Sequence, residues 1–166
     1  GSLSPYAVVQ RLEECLAPDA AVIGDTGATL CWLFQMFHRR RHTLFTAGGH
    51  SPMGYALPAA IGVALEQPGR QVVAVTGDGG LQINIQELQT LAFHHLKVAV
   101  VVFNNNGYGI IKQFQDSYCG GRHEASGRLY SVPDLEQVAA AFGLEYRRVE
   151  TIEQLGGDLF LTGGPI

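Results

Sequence analysis

Two apolar segments of strand length, each ending in a motif rich in glycine or asparagine, constrain this chain most. Residues 72–75 lead into Gly77-Asp78-Gly79-Gly80, and residues 98–103 lead into Asn104-Asn105-Asn106-Gly107-Tyr108-Gly109. Continuous β-branched runs of this length are typical of strands buried on both faces of a parallel sheet. The apolar residues between them, from 85 to 96, follow helical spacing. Strand, helix and strand in this order predict an α/β fold with a site at the carboxyl ends of its strands.

The two motifs carry groups that can hold a divalent metal against a diphosphate. Mg²⁺ prefers about six oxygen ligands. Asp78 offers a carboxylate, Asn105 a side-chain amide oxygen and Gly107 a backbone carbonyl. The glycines at 77, 79 and 80 leave room for backbone amides to approach phosphate oxygens, and the helix that follows adds its positive end. The sequence therefore predicts a joint site for a metal and a diphosphate.

Each motif also has an ordinary structural explanation. A Gly-Asp-Gly triplet alone is more often a tight turn than a metal site, and a pair of asparagines after a strand is usually turn chemistry as well. Their joint placement at the ends of two predicted strands favours the metal site. The phosphate loop of an ordinary nucleotide-binding fold is a further alternative, but the sequence contains neither the GxGxxG nor the GxxxxGK motif.

Gly77-Asp78-Gly79, followed after a helix and a strand by Asn104-Asn105, resembles the signature of thiamine-diphosphate-dependent enzymes. The flanking stretches 80–88 and 111–116 are similar to the large catalytic subunit of acetolactate synthase and its relatives. The resemblance implies the thiamine-diphosphate-binding fold, which is a parallel sheet flanked by helices on both faces. It also implies that residues 1–166 form a single domain that binds diphosphate and Mg²⁺, as an excised C-terminal part of a larger enzyme.

The resemblance assigns roles to individual residues. Asp78, Asn105 and the carbonyl of Gly107 would be the magnesium ligands. Met53 would be the catalytic residue of this domain, an apolar wedge that bends the cofactor into a V shape, and the Ser51 carbonyl would accept a hydrogen bond from the aminopyrimidine. The residues implied to bind the cofactor are Thr26, Gly27, Thr29, Ser51, Met53, Gly77, Asp78, Gly79, Gly80, Asn105, Gly107, Tyr108 and Gly109.

Three residues of this region have simpler alternative explanations. Met53 opens a predicted helix, where a methionine is by default a core residue. His50 could contact substrate or phosphate, whereas an isolated loop histidine is more often only solvated. Asp25 could cap the helix predicted to begin near Thr29.

The function implied by the resemblance is that of a 2-oxoacid decarboxylating carboligase of the acetolactate synthase type, which uses thiamine diphosphate and Mg²⁺. A pyrimidine-binding domain would supply the glutamate that activates the cofactor, so the isolated domain would be inactive. The complete enzyme would be a homo-oligomer that acts on a 2-oxoacid. FAD in the complete enzyme is compatible with the resemblance, but no motif of this chain identifies it.

Two other functions stay open on the sequence alone. The chain could be a subunit of a two-chain sulfopyruvate or phosphonopyruvate decarboxylase, or a diphosphate-binding module without turnover. Phe114 stands where acetolactate synthases usually carry tryptophan, which leaves the acceptor substrate open.

The amino-acid composition limits which kinds of partner and which cellular compartment are expected. The 166 residues are 46% hydrophobic, enough for one substantial core, and carry a formal net charge of −4. Basic residues are scattered apart from Arg39-Arg40-Arg41, which is predicted to be a solvated helix end or a subunit contact, so nucleic-acid binding is not expected. The three cysteines lack metal-site spacing and favour reduced thiols in the cytoplasm. No apolar run reaches membrane-spanning length, so no membrane partner is predicted.

The rest of the chain reads as further α/β units. Helical patterns are predicted at 4–16, 29–37 and 133–142, with another helix beginning near Met53. Strands are predicted at 20–24 and 145–149. The polar, glycine-bearing residues 115–131 are predicted to form a mobile loop near the site.

Overall fold

Four parallel strands form the central sheet in the computed structural model, which describes residues 3–38 and 42–160. In sheet order they are β2 (Thr43–Phe45), β1 (Ala21–Gly24), β3 (Val72–Gly77) and β4 (Val98–Phe103). The chain leaves β1 toward one edge of the sheet and β3 toward the other. The strand order therefore reverses between β1 and β3, the position at which open α/β sheets bind ligands.

Helices cover both faces of the sheet, as predicted. Side chains alternate along β1, so that Ala21 and Ile23 enter one core cluster while Val22 enters the other. The first cluster packs against α3 (Ala56–Glu66), α5 (Glu87–Phe93) and α7 (Leu135–Ala141). The second packs against α1 (Pro5–Cys15) and α2 (Ala28–Met36). The α/β class with helices on both faces is confirmed.

The junction that follows β3 differs from the predicted loop and single helix. Gly77 is the last residue of β3, and Asp78 is the first residue of a short helix, α4 (Asp78–Ile83). A break follows α4 and precedes α5, because the chain turns at Asn84 before the apolar spacing resumes. The Gly-Asp-Gly motif is therefore a direct strand-to-helix junction, which places Asp78 rigidly at the end of the sheet.

Four other boundaries differ from the sequence prediction. The three residues of β2 were not predicted, since they are too few to show a strand period. The helix expected to begin near Met53 starts at Ala56, so Met53 lies in the preceding turn. The stretch 115–131 contains the end of α6 (Gly109–Tyr118) and β5 (Glu124–Leu129), which lies outside the four-stranded sheet. Asp134 caps α7, which begins one residue after it.

The strand predicted at 145–149 is wrong. Residues 144–150 have no regular secondary structure, and Arg147 bonds the nearby carboxylate of Glu145 with an Nη2 to Oε1 distance of 2.6 Å. Short 3₁₀ turns follow at Ile152–Gln154 and Gly157–Phe160. The predicted role of Arg39-Arg40-Arg41 falls outside the described residues. Across the ranges 3–38 and 42–160, no helix combines the length and apolar character needed to cross a membrane.

Candidate functional site

A cleft of about 1030 Å³ opens at the carboxyl ends of β1, β3 and β4 and continues along β4 toward α7 and residues 144–150. The strand register explains the convergence, because Gly77 at the end of β3 pairs with Phe103 at the end of β4. Every residue predicted to bind the cofactor lines this cleft. Those residues are Thr26, Gly27, Thr29, Ser51, Met53, Gly77, Asp78, Gly79, Gly80, Asn105, Gly107, Tyr108 and Gly109.

Asp78 joins the end of β3 to the loop that follows β4. Its side chain is buried, with 2% exposure. Oδ1 accepts hydrogen bonds from the Gly79 amide at 2.7 Å and the Tyr130 hydroxyl at 3.0 Å. Oδ2 accepts a longer bond, from the Gly107 amide at 3.3 Å. Because a carboxylate oxygen has two lone pairs, Oδ2 keeps acceptor capacity for a further ligand.

The three predicted metal ligands come from neighbouring strand ends. Asn105 is exposed at the end of β4, and Gly107 is buried beside Asp78. A carboxylate, an amide oxygen and a backbone carbonyl are hard oxygen ligands of the kind that Mg²⁺ takes. The chemistry of this donor set therefore fits Mg²⁺.

Two glycines of the first motif make room for other side chains. A Cβ atom at Gly79 would collide with the ring of Tyr108 and lie 3.3 Å from Met53 Cε. A Cβ atom at Gly80 would collide with the hydroxyl of Thr76 and lie 2.9 Å from Asp25 Oδ2. Both contacts are tighter than ordinary packing allows. Gly79 and Gly80 are thus required for close packing around the cleft as well as for the predicted approach to phosphate.

Met53 projects from the turn before α3 and is 38% exposed. The alternative explanation of Met53 as a core residue therefore does not fit, while the predicted wedge role remains a prediction. Ser51, two residues earlier, has a positive φ of 46°. Its hydroxyl oxygen lies 2.5 Å from Thr26 Oγ1. This contact ties the turn that carries Met53 to the loop after β1.

Asp25 is not a helix cap. The residue at the N-cap of α2 is Gly27, and no side chain of the described residues caps this helix. Instead, Asp25 Oδ1 accepts from the Thr26 amide at 2.8 Å and from the Gly54 amide at 3.0 Å. The capping interpretation is wrong because the carboxylate points toward the Met53 turn rather than along α2.

Tyr130 does not line the cleft but bonds to Asp78, which does, and the sequence did not reveal this contact. Its hydroxyl donates to Asp78 and accepts from Gln82 Nε2 at 3.0 Å, and its ring lies 4.6 Å from that of Tyr108, centroid to centroid. Burial, together with the hydrogen bond to Asp78 and the charge of that carboxylate, raises the pKa of Tyr130 above its usual value, which keeps the hydroxyl protonated. No local motif marks this residue, since the partners of its side chain, Asp78, Gln82 and Tyr108, are all distant in sequence.

The stretch predicted to lie near the site does so through its backbone and through Tyr130. The Ser126 carbonyl accepts a hydrogen bond from the Tyr108 amide at 2.9 Å. Two other residues singled out from the sequence lie elsewhere. His50 is exposed and does not line the cleft, and Phe114 is 56% exposed and packs on Tyr118 instead.

Comparison with known proteins identifies close similarity over most of the chain. Residues 25–159 match the family model described as thiamine pyrophosphate enzyme, C-terminal TPP binding domain. The chain is 36% identical over 159 residues to the acetolactate synthase large subunit of Parasynechococcus marenigrum (strain WH8102), a match covering 96% of this chain and 26% of that protein. It is 38% identical over 166 residues to the acetolactate synthase isozyme 3 large subunit of Escherichia coli (strain K12), covering 92% of this chain and 29% of that protein.

A third similar protein is the acetolactate synthase large subunit of Lactococcus lactis subsp. lactis (strain IL1403). The identity is 31% over 159 residues, covering 95% of this chain and 27% of that protein. The chain thus spans between 26% and 29% of the length of these three curated relatives.

Proposed function

We propose a function from the premise that this chain belongs to the thiamine pyrophosphate enzyme family, as its C-terminal TPP-binding domain. The chain binds the diphosphate end of thiamine diphosphate together with Mg²⁺, and it forms one part of a 2-oxoacid decarboxylating carboligase of the acetolactate synthase type. The observation that carries this proposal is the position of Asp78, which is buried at the end of β3 and bonded to the backbone after β4.

The proposed metal ligands are Asp78, Asn105 and the carbonyl of Gly107. Asp78 supports the assignment because its Oδ1 is already engaged by two donors, while Oδ2 accepts one long hydrogen bond. The Gly80 amide is the proposed diphosphate contact, since the Gly79 amide already donates to Asp78 Oδ1 at 2.7 Å; Gly77 and Gly79 leave room for the diphosphate to approach. Thr26 and Thr29 line the same end of the cleft on the side of β1, which agrees with their proposed role in cofactor binding.

Thiamine diphosphate, when bound, supplies the chemistry that allows a 2-oxoacid to lose carbon dioxide, and the protein supplies binding, orientation and electrostatics. The residues of this chain hold the diphosphate end and the metal. Met53 and Ser51 lie on the turn that faces the rest of the cofactor in the proposal. Met53 would hold the cofactor in its bent shape through van der Waals contact, and the Ser51 carbonyl would accept a hydrogen bond from the aminopyrimidine.

The complete site in this proposal needs a partner. A pyrimidine-binding domain would supply the activating glutamate, and the enzyme would be a homo-oligomer whose cofactor sites lie between chains. The donor substrate is a 2-oxoacid. We place the enzyme in the cytoplasm, since Cys15, Cys31 and Cys119 are all free thiols.

Titration calorimetry of thiamine diphosphate into the chain, with and without Mg²⁺, tests the proposal. We expect the binding of thiamine diphosphate to depend on Mg²⁺, and we expect inorganic diphosphate to compete with it. If neither ligand binds, either alone or with a pyrimidine-binding domain from a relative added, the proposed function is wrong.

A further inference from the structure

We infer that Asp25 is a positioning residue that fixes the turn carrying Ser51 and Met53. By fixing this turn, Asp25 controls how much more tightly the site binds thiamine diphosphate than inorganic diphosphate. This inference rests on the proposed function. It concerns a residue that acts through the turn, without contact to the cofactor.

Asp25 follows β1 directly and is one of the most deeply buried polar residues, with 2% exposure. Three donors lie close to its two oxygens. The Gly54 amide is shared between them, at 3.0 Å from Oδ1 and 3.1 Å from Oδ2. The others are the Thr26 amide at 2.8 Å from Oδ1 and Thr76 Oγ1 at 3.0 Å from Oδ2. The Ala56 amide lies at 3.5 Å from Oδ2.

These donors belong to three segments that are separate in sequence. Thr26 belongs to the loop after β1, Gly54 to the turn before α3, and Thr76 to the end of β3, while Ala56 is the first residue of α3. A buried carboxylate is costly unless donors compensate it. Within residues 3–38 and 42–160, no ion pair involves Asp25. The hydrogen bonds from these three segments therefore stabilise the buried carboxylate, and the carboxylate in turn holds the three segments together.

The turn itself is bent in a way that needs such support. Ser51 has φ of 46°, a left-handed conformation that is uncommon for a residue with a side chain. Gly54 has φ of 81°, and a Cβ atom there would meet Ile83 and Asn84 at 2.8 to 2.9 Å. Asn84 Nδ2 also donates to the Gly54 carbonyl at 2.8 Å. Asp25 thus holds the amide of Gly54 while Asn84 holds its carbonyl.

Met53 lies beside these fixed points and lines the cleft with its side chain partly exposed. A residue that projects from a turn keeps a defined direction only when the turn is fixed. The diphosphate end of the cleft, in contrast, is built mainly on β3, β4 and Asp78, and the Asp25 carboxylate reaches it only through the Thr26 amide and the Thr76 hydroxyl. Loss of the Asp25 contacts is therefore expected to affect the part of the cofactor that meets Met53 and Ser51, and to spare the diphosphate.

The variant Asp25→Asn tests the inference in the 166-residue chain. Its amide replaces one acceptor oxygen by a donor, so it cannot accept from Gly54 and Thr76 in the same way. Asp19→Asn is the matched control, because Asp19 is an exposed carboxylate at the opposite end of β1. The two variants change the same charge by the same chemistry.

The first readout is amide hydrogen exchange, which does not require cofactor. We expect exchange at Gly54 and Ala56 to become about tenfold faster in Asp25→Asn, the factor expected for the loss of one hydrogen bond to a charged group, and to stay unchanged in Asp19→Asn. Unchanged protection at Gly54 would overturn the inference, whatever the binding data show.

The second readout compares thiamine diphosphate with inorganic diphosphate, both with Mg²⁺. We expect Asp25→Asn to weaken the cofactor about tenfold and to leave inorganic diphosphate within about twofold. Equal weakening of both ligands would mean a merely structural role and would also overturn the inference. If the unaltered chain binds neither ligand, either alone or with a pyrimidine-binding domain from a relative added, the proposed function fails, and hydrogen exchange still decides whether Asp25 fixes the turn.

Thr76→Val provides a second variant should Asp25→Asn fail to fold. It removes one donor to Asp25 and keeps the volume and the carboxylate. We expect smaller effects than in Asp25→Asn but with the same selectivity. Exchange at Gly54 should be faster and thiamine diphosphate should bind more weakly, while the affinity for inorganic diphosphate should be unchanged. Absence of both effects would overturn the inference.

Discussion

The Tyr130 hydroxyl donates a hydrogen bond to Asp78 Oδ1 at 3.0 Å, although the two residues are far apart in sequence. The Gly79 amide donates to the same oxygen at 2.7 Å. Two donors on one oxygen fix the orientation of the carboxylate and direct the other oxygen toward the proposed metal. Residues that hydrogen-bond to a metal ligand without contacting the metal themselves are important for metal affinity in proteins.

The variant Tyr130→Phe should weaken Mg²⁺-dependent binding of thiamine diphosphate by about tenfold, because Asp78 loses one of its orienting donors. Calorimetric titration with and without the metal measures the change. Tyr118→Phe is the control, since Tyr118 is 76% exposed and does not line the cleft. Equal affinities of the two variants would show that the Tyr130 hydroxyl is dispensable.

The variant Asp78→Asn should abolish Mg²⁺-dependent binding, because it removes the charged ligand. Asparagine is preferable to alanine here, since Asp78 is buried and its three hydrogen-bond donors would otherwise lose their partner. Asp19→Asn provides the same change of charge on an exposed residue. Circular dichroism checks that both variants fold, and retained metal dependence in Asp78→Asn would contradict the proposed ligand role.

The variant Gly79→Ala should destabilise the fold by about 1–3 kcal/mol, the usual cost of overpacking, because its Cβ atom would collide with Tyr108. Gly62→Ala is the matched control. Gly62 lies within α3, and a methyl group added there would have no described neighbour within 4 Å, so alanine should stabilise the helix by about 0.5–1 kcal/mol. Urea unfolding measures both values, and effects of the same sign would contradict the packing argument.

The variant Met53→Ala should leave the free energy of unfolding within about 0.5 kcal/mol, because the side chain is partly exposed in a turn. In the complete enzyme it should reduce turnover more than it reduces affinity for the diphosphate end. Steady-state kinetics alongside competition by inorganic diphosphate measures the two effects. A loss of stability above about 2 kcal/mol would restore the interpretation of Met53 as a core residue.

The sequence predicted the parts of this molecule that rest on local patterns. The apolar runs correspond to β3 and β4, and their terminal motifs placed Asp78 and Asn105 beside one cleft. The strand prediction for 145–149 was wrong because a strand-like residue pattern does not by itself provide a neighbouring strand to pair with. The contact of Tyr130 with Asp78 leaves no local signal, since it depends on how distant segments meet.

The same limit applies to Asp25. Its position after a strand and before a helix favours a cap by local rules. The structure instead places Gly54 within hydrogen-bonding distance, and that choice depends on the path of the chain between β1 and α3. Composition and motif spacing contain no information on that path.

The three strands that end at the cleft come from distant parts of the chain, and this has a consequence for folding. Parallel strands pair only after long connections close, which makes such sheets slow to assemble. The cleft therefore exists only once β1, β3 and β4 are side by side, and a partly folded chain has no half-formed version of it. A ligand that binds there binds only the assembled sheet, so the apparent melting temperature of the domain should rise with the concentration of that ligand.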